Sequence, residues 1–112
     1  MSQITTHILD TTSGKPAKNV RINLYQSENN SWIEIATGIT NTDGRITNLL
    51  SDNKSLDIGI YKMKFFTSEY FINKKLSTFY PFVEVVFEIN NEEHYHIPLL
   101  LNPFGYTTYR GS

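Results

Sequence analysis

The sequence predicts an all-β fold: an eight-stranded antiparallel two-sheet sandwich with one short helix. Three observations predict it. Aromatic residues are plentiful, with seven Tyr and seven Phe, and flat rings pack well on a pleated, half-buried surface. Apolar and polar residues alternate with a period of two in segment after segment, as in strands with one buried face. The segments are also short and are set apart by Gly, Pro, Asn, Asp and Ser, the spacing of a sandwich or barrel.

Taken in order, Ile4 to Asp10 is the first strand, with Ile4, Thr6 and Ile8 on one face and Thr5, His7 and Leu9 on the other. Thr11 to Lys18, containing Ser13-Gly14-Lys15-Pro16, is a loop. Val20 to Gln26 is the second strand, alternating Val20, Ile22 and Leu24 against Arg21, Asn23 and Tyr25. Ser27 to Ser31 turns the chain into a third strand, Trp32 to Thr37. Asp43-Gly44 signals a short turn, because glycine accepts positive φ, and a short fourth strand, Arg45 to Leu49, follows. Ser51 to Asp57 is polar and loop-like, and Ile58 to Phe66 is a long alternating strand. Thr67 to Lys75 is the one helix: Thr67 or Ser68 can cap it, Glu69 suits its first turn, and Lys74 and Lys75 its last. Pro81 precedes a strand from Phe82 to Ile89, the Asn90-Asn91 turn leads to Glu93 through Leu101, and Asn102-Pro103 leads to a last strand, Phe104 to Arg110.

A length of 112 residues suits one ordinary domain, so 1–112 reads as a single unit. Ten Lys+Arg against eleven Asp+Glu leave a net charge of -1 with no basic cluster, so the positive stripe of a nucleic-acid binder is missing. Cysteine is absent, which excludes disulfides, a thiol nucleophile and thiolate metal sites. The opening MSQITTHILD has neither the basic nor the apolar region of a signal peptide. No apolar run reaches membrane-spanning length. A soluble cytoplasmic protein with no nucleic-acid or membrane partner is expected.

Four features could carry chemistry, and each has a plainer reading. His7 is a strand histidine on the face opposite Ile8, a common surface or packing residue. His94 and His96 form an H-x-H on one strand face. Two imidazoles make an incomplete metal site, yet histidine is the side chain best suited to moving protons near neutral pH. Arg45 follows a turn, where a solvated arginine is ordinary; it is also a permanently charged fork able to grip carbonyl oxygens or stabilise an oxyanion. The terminal Tyr109-Arg110-Gly111-Ser112 combines an aromatic ring, a guanidinium and a carboxylate where chain ends usually fray. No Gly-x-Ser-x-Gly, Walker-type loop or dinucleotide fingerprint is present. The residues by themselves describe a β-sandwich with a few suggestive histidines and name no substrate.

Several segments together resemble one family. Thr5-Thr6-His7-Ile8-Leu9-Asp10, followed by Gly14-Lys15-Pro16-Ala17, looks like the start of transthyretin-like proteins. Thr40-Asn41-Thr42-Asp43-Gly44-Arg45 is similar to their second signature, and Phe79-Tyr80-Pro81 also matches. The most specific part is the end, His96-Ile97-Pro98-Leu99-Leu100-Leu101 through Tyr109-Arg110-Gly111-Ser112. That final tetrapeptide separates the family's hydrolases from true transthyretins, which carry thyroid hormone and lack it. The likeness spans essentially the whole chain and departs at Phe82, where a carboxylate is frequent in the family.

The resemblance implies a transthyretin-like sandwich and a homotetramer, a dimer of dimers around a central channel. It implies hydrolytic opening of the six-membered ring of 5-hydroxyisourate at its N1–C6 bond, in urate degradation. Catalytic roles fall on His7, Arg45 and His96, and substrate binding on Tyr109, Arg110, Gly111 and Ser112. His7 and His96 would deprotonate water and relay the proton, and Arg45 would hold a carbonyl and the developing charge. Tyr109 and Ser112 would orient substrate or water, while Gly111 lets the tail approach closely. No metal or organic cofactor is implied, and His94 matches no functional position. Two other readings stand beside the enzyme: a carrier of a small planar ligand, and an interaction sandwich whose H-x-H binds metal adventitiously.

Overall fold

The structure, a computed structural model, describes residues 2–112. In chain order the elements are β1 (Ile4–Asp10), β2 (Lys15–Pro16), β3 (Arg21–Glu28), β4 (Ser31–Ile39), β5 (Arg45–Ile46) and β6 (Gly59–Phe65). They continue as α1 (Thr67–Asn73), β7 (Val83–Ile89), β8 (Tyr95–Asn102) and β9 (Gly105–Thr108). Two sheets result. One has the order β2-β1-β8-β9 with β5 also pairing β1, and the other has the order β4-β3-β6-β7. The two-sheet all-β sandwich with a short helix is the fold that the alternation predicted.

The structure departs from the expected pattern in ways that the chemistry explains. β1 and β8 run parallel, Ile4 beside Tyr95 through Asp10 beside Leu101, so the sandwich is not antiparallel throughout. Parallel neighbours need a long crossover, and every element from β2 to β7 lies between these two. The loop expected at Thr11 to Lys18 contains β2, which pairs Leu9 with Pro16 and Asp10 with Lys15. Pro16 is tolerated because β2 is an edge, where a missing donor breaks no ladder. β5 ends at Ile46 instead of Leu49, because the chain turns inward: Leu49 and Leu50 are buried, and Leu50 N donates to Ser2 Oγ at 3.0 Å. The helix ends at Asn73, with Lys74 and Lys75 beyond it, and Thr67 is its first residue rather than its cap.

The core lies between the sheets. Ile4, Ile8, Leu99 and Leu101 from one face Ile22, Leu24, Met63 and Phe65 from the other, all essentially inaccessible. Full burial of one such side chain contributes roughly 1.5–3 kcal/mol. Phe71 buries the helix against this core. Asp10, also buried, has both side-chain oxygens hydrogen-bonded: Tyr70 OH donates to Oδ2 at 2.7 Å, and the backbone N–H groups of Thr12 and Ser13 donate to Oδ1 at 2.9 and 3.3 Å. Burial and this carboxylate push the Tyr70 phenol up. With Ile4 and Ile8 pointing inward, the strand period sends Thr5 and His7 to the outer face.

Candidate active site

Three strands bring the predicted groups together on that outer face. In the parallel register Thr5 stands beside His96 and His7 beside Pro98, while β5 sets Arg45 beside His7. On β8 the residues Tyr95, Ile97, Leu99 and Leu101 are buried, so the alternate residue His96 points outward. On β5 Ile46 is buried and Arg45 is exposed. His7, Arg45 and His96 thus share one surface although they are distant in sequence.

Arg45 is aimed by the turn that precedes it. Asn41 Oδ1 accepts from the N–H groups of Asp43 and Arg45, at 2.9 and 3.0 Å. Gly44 has φ 72° and its carbonyl accepts from Ile8 N at 2.8 Å. A Cβ on Gly44 would lie 2.5 Å from the Ile8 carbonyl oxygen. Glycine is therefore required both for the left-handed backbone and for the close approach to β1.

A pocket of about 180 Å³ opens here, lined by Thr5, Thr6, Arg45, Thr47, His94, His96 and Ser112. Burial, then the Arg45 charge, then His94 and His7, hold the His96 imidazole below its ordinary value of 6.5; a smaller contribution from the Thr5 backbone opposes them. His7 is also held below 6.5 by burial and Arg45, against an opposing pull from Asp43. Both rings are therefore neutral at pH 7 and able to accept a proton beside a permanent cation. Among the described residues, no group of three or more His, Cys, Asp or Glu side chains is placed to share a metal ion.

The tail divides in two. Gly111 pairs with His96 as an isolated bridge, its N–H donating to the His96 carbonyl at 2.8 Å. A Cβ on Gly111 would come within 2.6 Å of His96 Cδ2, so only glycine lets the chain lie this close to the ring. Ser112 then reaches the pocket. Tyr109 and Arg110 do not line it. They line a separate groove of about 170 Å³ with Val85, Phe87 and Tyr95. Arg110 pairs with Glu93 at 3.3 Å and lies 4.4 Å above the Tyr95 ring. The ladder between β8 and β9 breaks at this point because Pro98 has no N–H to give.

Two residues of the site were not assigned from sequence. Thr5 places its hydroxyl 2.7 Å from His96 Nδ1 and 2.8 Å from His94 Nε2. His94, passed over from sequence, stacks with His96 at a ring separation of 6.3 Å and lines the pocket. The H-x-H spacing did put both rings on one face; the parallel pairing that sets Thr5 between them had no sequence signal.

Comparison with known proteins places this geometry. The HIUase/Transthyretin family model matches residues 4–111. The chain belongs to the HIUase/Transthyretin family. Among curated relatives, the 5-hydroxyisourate hydrolase of Salmonella dublin is 47% identical over 110 residues, which is 97% of this chain and 80% of that protein. Among solved structures, sea bream transthyretin in complex with thyroxine superposes with a TM-score of 0.91 at 35% identity, covering 98% of this chain and 95% of that one. The Klebsiella pneumoniae 5-hydroxyisourate hydrolase superposes with a TM-score of 0.87 at 31% identity, covering 97% and 98%. The family thus contains a 5-hydroxyisourate hydrolase and a transthyretin that binds thyroxine on one fold.

Proposed function

We propose that this chain is a hydrolase that opens the six-membered ring of 5-hydroxyisourate at the N1–C6 amide bond, in urate degradation. The observation that carries the reading is the meeting of His7, Arg45 and His96 on one outward face, with the tail held against His96. Similarity to curated hydrolases over nearly the full chain supports it. The sea bream structure raises a second reading, carriage of a small planar ligand. The titratable, cation-lined pocket favours chemistry over carriage.

An amide of this kind needs an activated water, a stabilised oxyanion and a proton for the departing nitrogen. Neutral His96 removes a proton from water as its oxygen bonds to C6. The carbonyl electrons move to oxygen, and the Arg45 guanidinium holds that negative charge. Collapse of the tetrahedral species breaks the C6–N1 bond, and the imidazolium returns the proton to N1. His7, beside Arg45, orients the water and shares the relay. Gly111 and Ser112 close one side of the pocket. Tyr109 and Arg110 act on substrate from a neighbouring subunit.

That last assignment calls for an assembly, a homotetramer built as a dimer of dimers. β7 and β9 each end a sheet with an unpaired edge, and such edges invite pairing with another copy. No helix among the described residues is long and apolar enough to cross a membrane, and the reading places the enzyme in the cytoplasm without a cofactor. The test is a spectrophotometric assay on freshly generated 5-hydroxyisourate. A hydrolase accelerates the decay well above the spontaneous rate; a carrier binds without accelerating it, and that result would overturn the reading.

A further inference from the structure

We infer that Thr5 is a positioning residue whose single hydroxyl proton selects the tautomer of His96, and that His94 must be neutral for the selection to yield a base. The inference rests on the hydrolase reading for its kinetic arm alone.

A hydroxyl carries one proton and two lone pairs. Thr5 Oγ1 lies within hydrogen-bond distance of His96 Nδ1 and His94 Nε2, at 2.7 and 2.8 Å. It can donate to one ring only, and because it is buried, keeping its proton satisfied means donating to one ring and accepting from the other. The two rings are therefore tied together. In one arrangement Thr5 donates to His94 Nε2 and accepts from Nδ1–H of His96. The His96 Nε2 lone pair is then bare, as a general base requires. When that Nε2 gains a proton, the Nδ1–H of the imidazolium already has its acceptor.

In the opposite arrangement His94 Nε2 carries a proton and donates to Thr5. Thr5 then has to donate to His96 Nδ1, which puts the His96 proton on Nε2 and removes the base. A protonated His94 favours this second arrangement, because its Nε2 can then only donate and accepting from both rings would leave the buried Thr5 proton without either ring as partner. Protonation of an exposed histidine therefore switches off a half-buried one through a buried hydroxyl.

The charges around the pair are defined. His96 faces Arg45, His7 and His94. His94 also borders a depression lined by Asp52, Lys54 and Glu92, while the Glu93–Arg110 ion pair lies by the Tyr95 ring, away from the histidine pocket. The lowered pKa values keep His96 and His7 neutral, so the tautomer, and not the charge, decides what His96 can do near neutral pH.

The test uses the whole protein and three variants: Thr5→Val, which keeps the side-chain shape, Thr5→Ser, which keeps the hydroxyl, and His94→Ala. Long-range proton–nitrogen correlation spectra of the ring nitrogens report tautomers without substrate. His96 is expected with Nδ1 protonated in the wild type and in Thr5→Ser, and shifted toward Nε2 protonation in Thr5→Val. On 5-hydroxyisourate, Thr5→Val should lower kcat roughly ten- to a hundredfold, by analogy with the loss of a partner that orients a metal-bound histidine. KM should move by less than about twofold, since the bond lost is to the base and not to substrate, and Thr5→Ser should recover most of the rate. His94→Ala removes the second ring partner of Thr5, so its His96 tautomer should shift away from the wild-type distribution.

An unchanged His96 tautomer in Thr5→Val overturns the inference, and so does an unchanged His96 tautomer in His94→Ala. A wild-type chain inactive on 5-hydroxyisourate overturns the functional reading instead, and the spectra still decide the tautomer.

Discussion

His7 and His96 are ordinary strand histidines until their neighbours are known. Their shared feature is a depressed imidazole pKa, set first by burial and then by Arg45. The consequence has a definite sign. The neutral forms are favoured in the fold, so these rings contribute stability above 6.5 that is lost as the pH falls through their lower folded values. The acid limb of kcat/KM should accordingly have its midpoint below 6.5, and urea stability should fall over the same window. A midpoint above 6.5 in a pH–rate profile would contradict the electrostatics described. Both histidines and Arg45 were legible in the sequence by residue type and by resemblance. Thr5 was not, because a threonine in a strand signals only strand propensity, and its value comes from standing between two rings on β8.

At the scale of elements, alternation located nearly every strand, since a one-residue slip would turn the apolar set outward. β1 was read with its full bounds for that reason: Ile4 and Ile8 admit one register. What alternation cannot carry is partner choice. Nothing in Ile4–Asp10 or Tyr95–Asn102 announces that they pair in parallel. The tail shows the same limit: the terminal tetrapeptide read as prone to fray, yet Gly111 is held on the His96 carbonyl. Gly111→Ala tests that contact directly. The new Cβ would meet His96 Cδ2 at 2.6 Å, so the ring has to shift, and a displacement near 1 Å in a catalytic group costs about a hundredfold. Turnover is expected to drop by that order while circular dichroism is unchanged; wild-type turnover would show that the tail does not set the ring.

For the whole molecule, the unpaired edges and the divided tail lead to the same expectation. Tyr109 and Arg110 sit away from the histidines of their own chain, so the proposed function has them act across an interface. Thr107 is a suitable probe of it: exposed, opposite Leu100 on β9, and without the tertiary ties of Tyr106, whose ring packs on Tyr80, or Thr108, whose hydroxyl donates to the Pro98 carbonyl. Thr107→Arg should leave the protomer folded, break the channel contact and lower turnover with the tetramer fraction. Light scattering after size exclusion, with turnover on the same fractions, checks this; a fully active monomer would refute the shared site.

The central claim is that His96, working beside His7 and Arg45, performs hydrolysis on this outward face. The most direct measurement is steady-state turnover of 5-hydroxyisourate by the wild type and by His96→Ala, with circular dichroism to confirm the fold. Loss of a general acid–base group predicts a fall of roughly two to four orders of magnitude in kcat. Turnover in His96→Ala within a fewfold of the wild type would contradict the account.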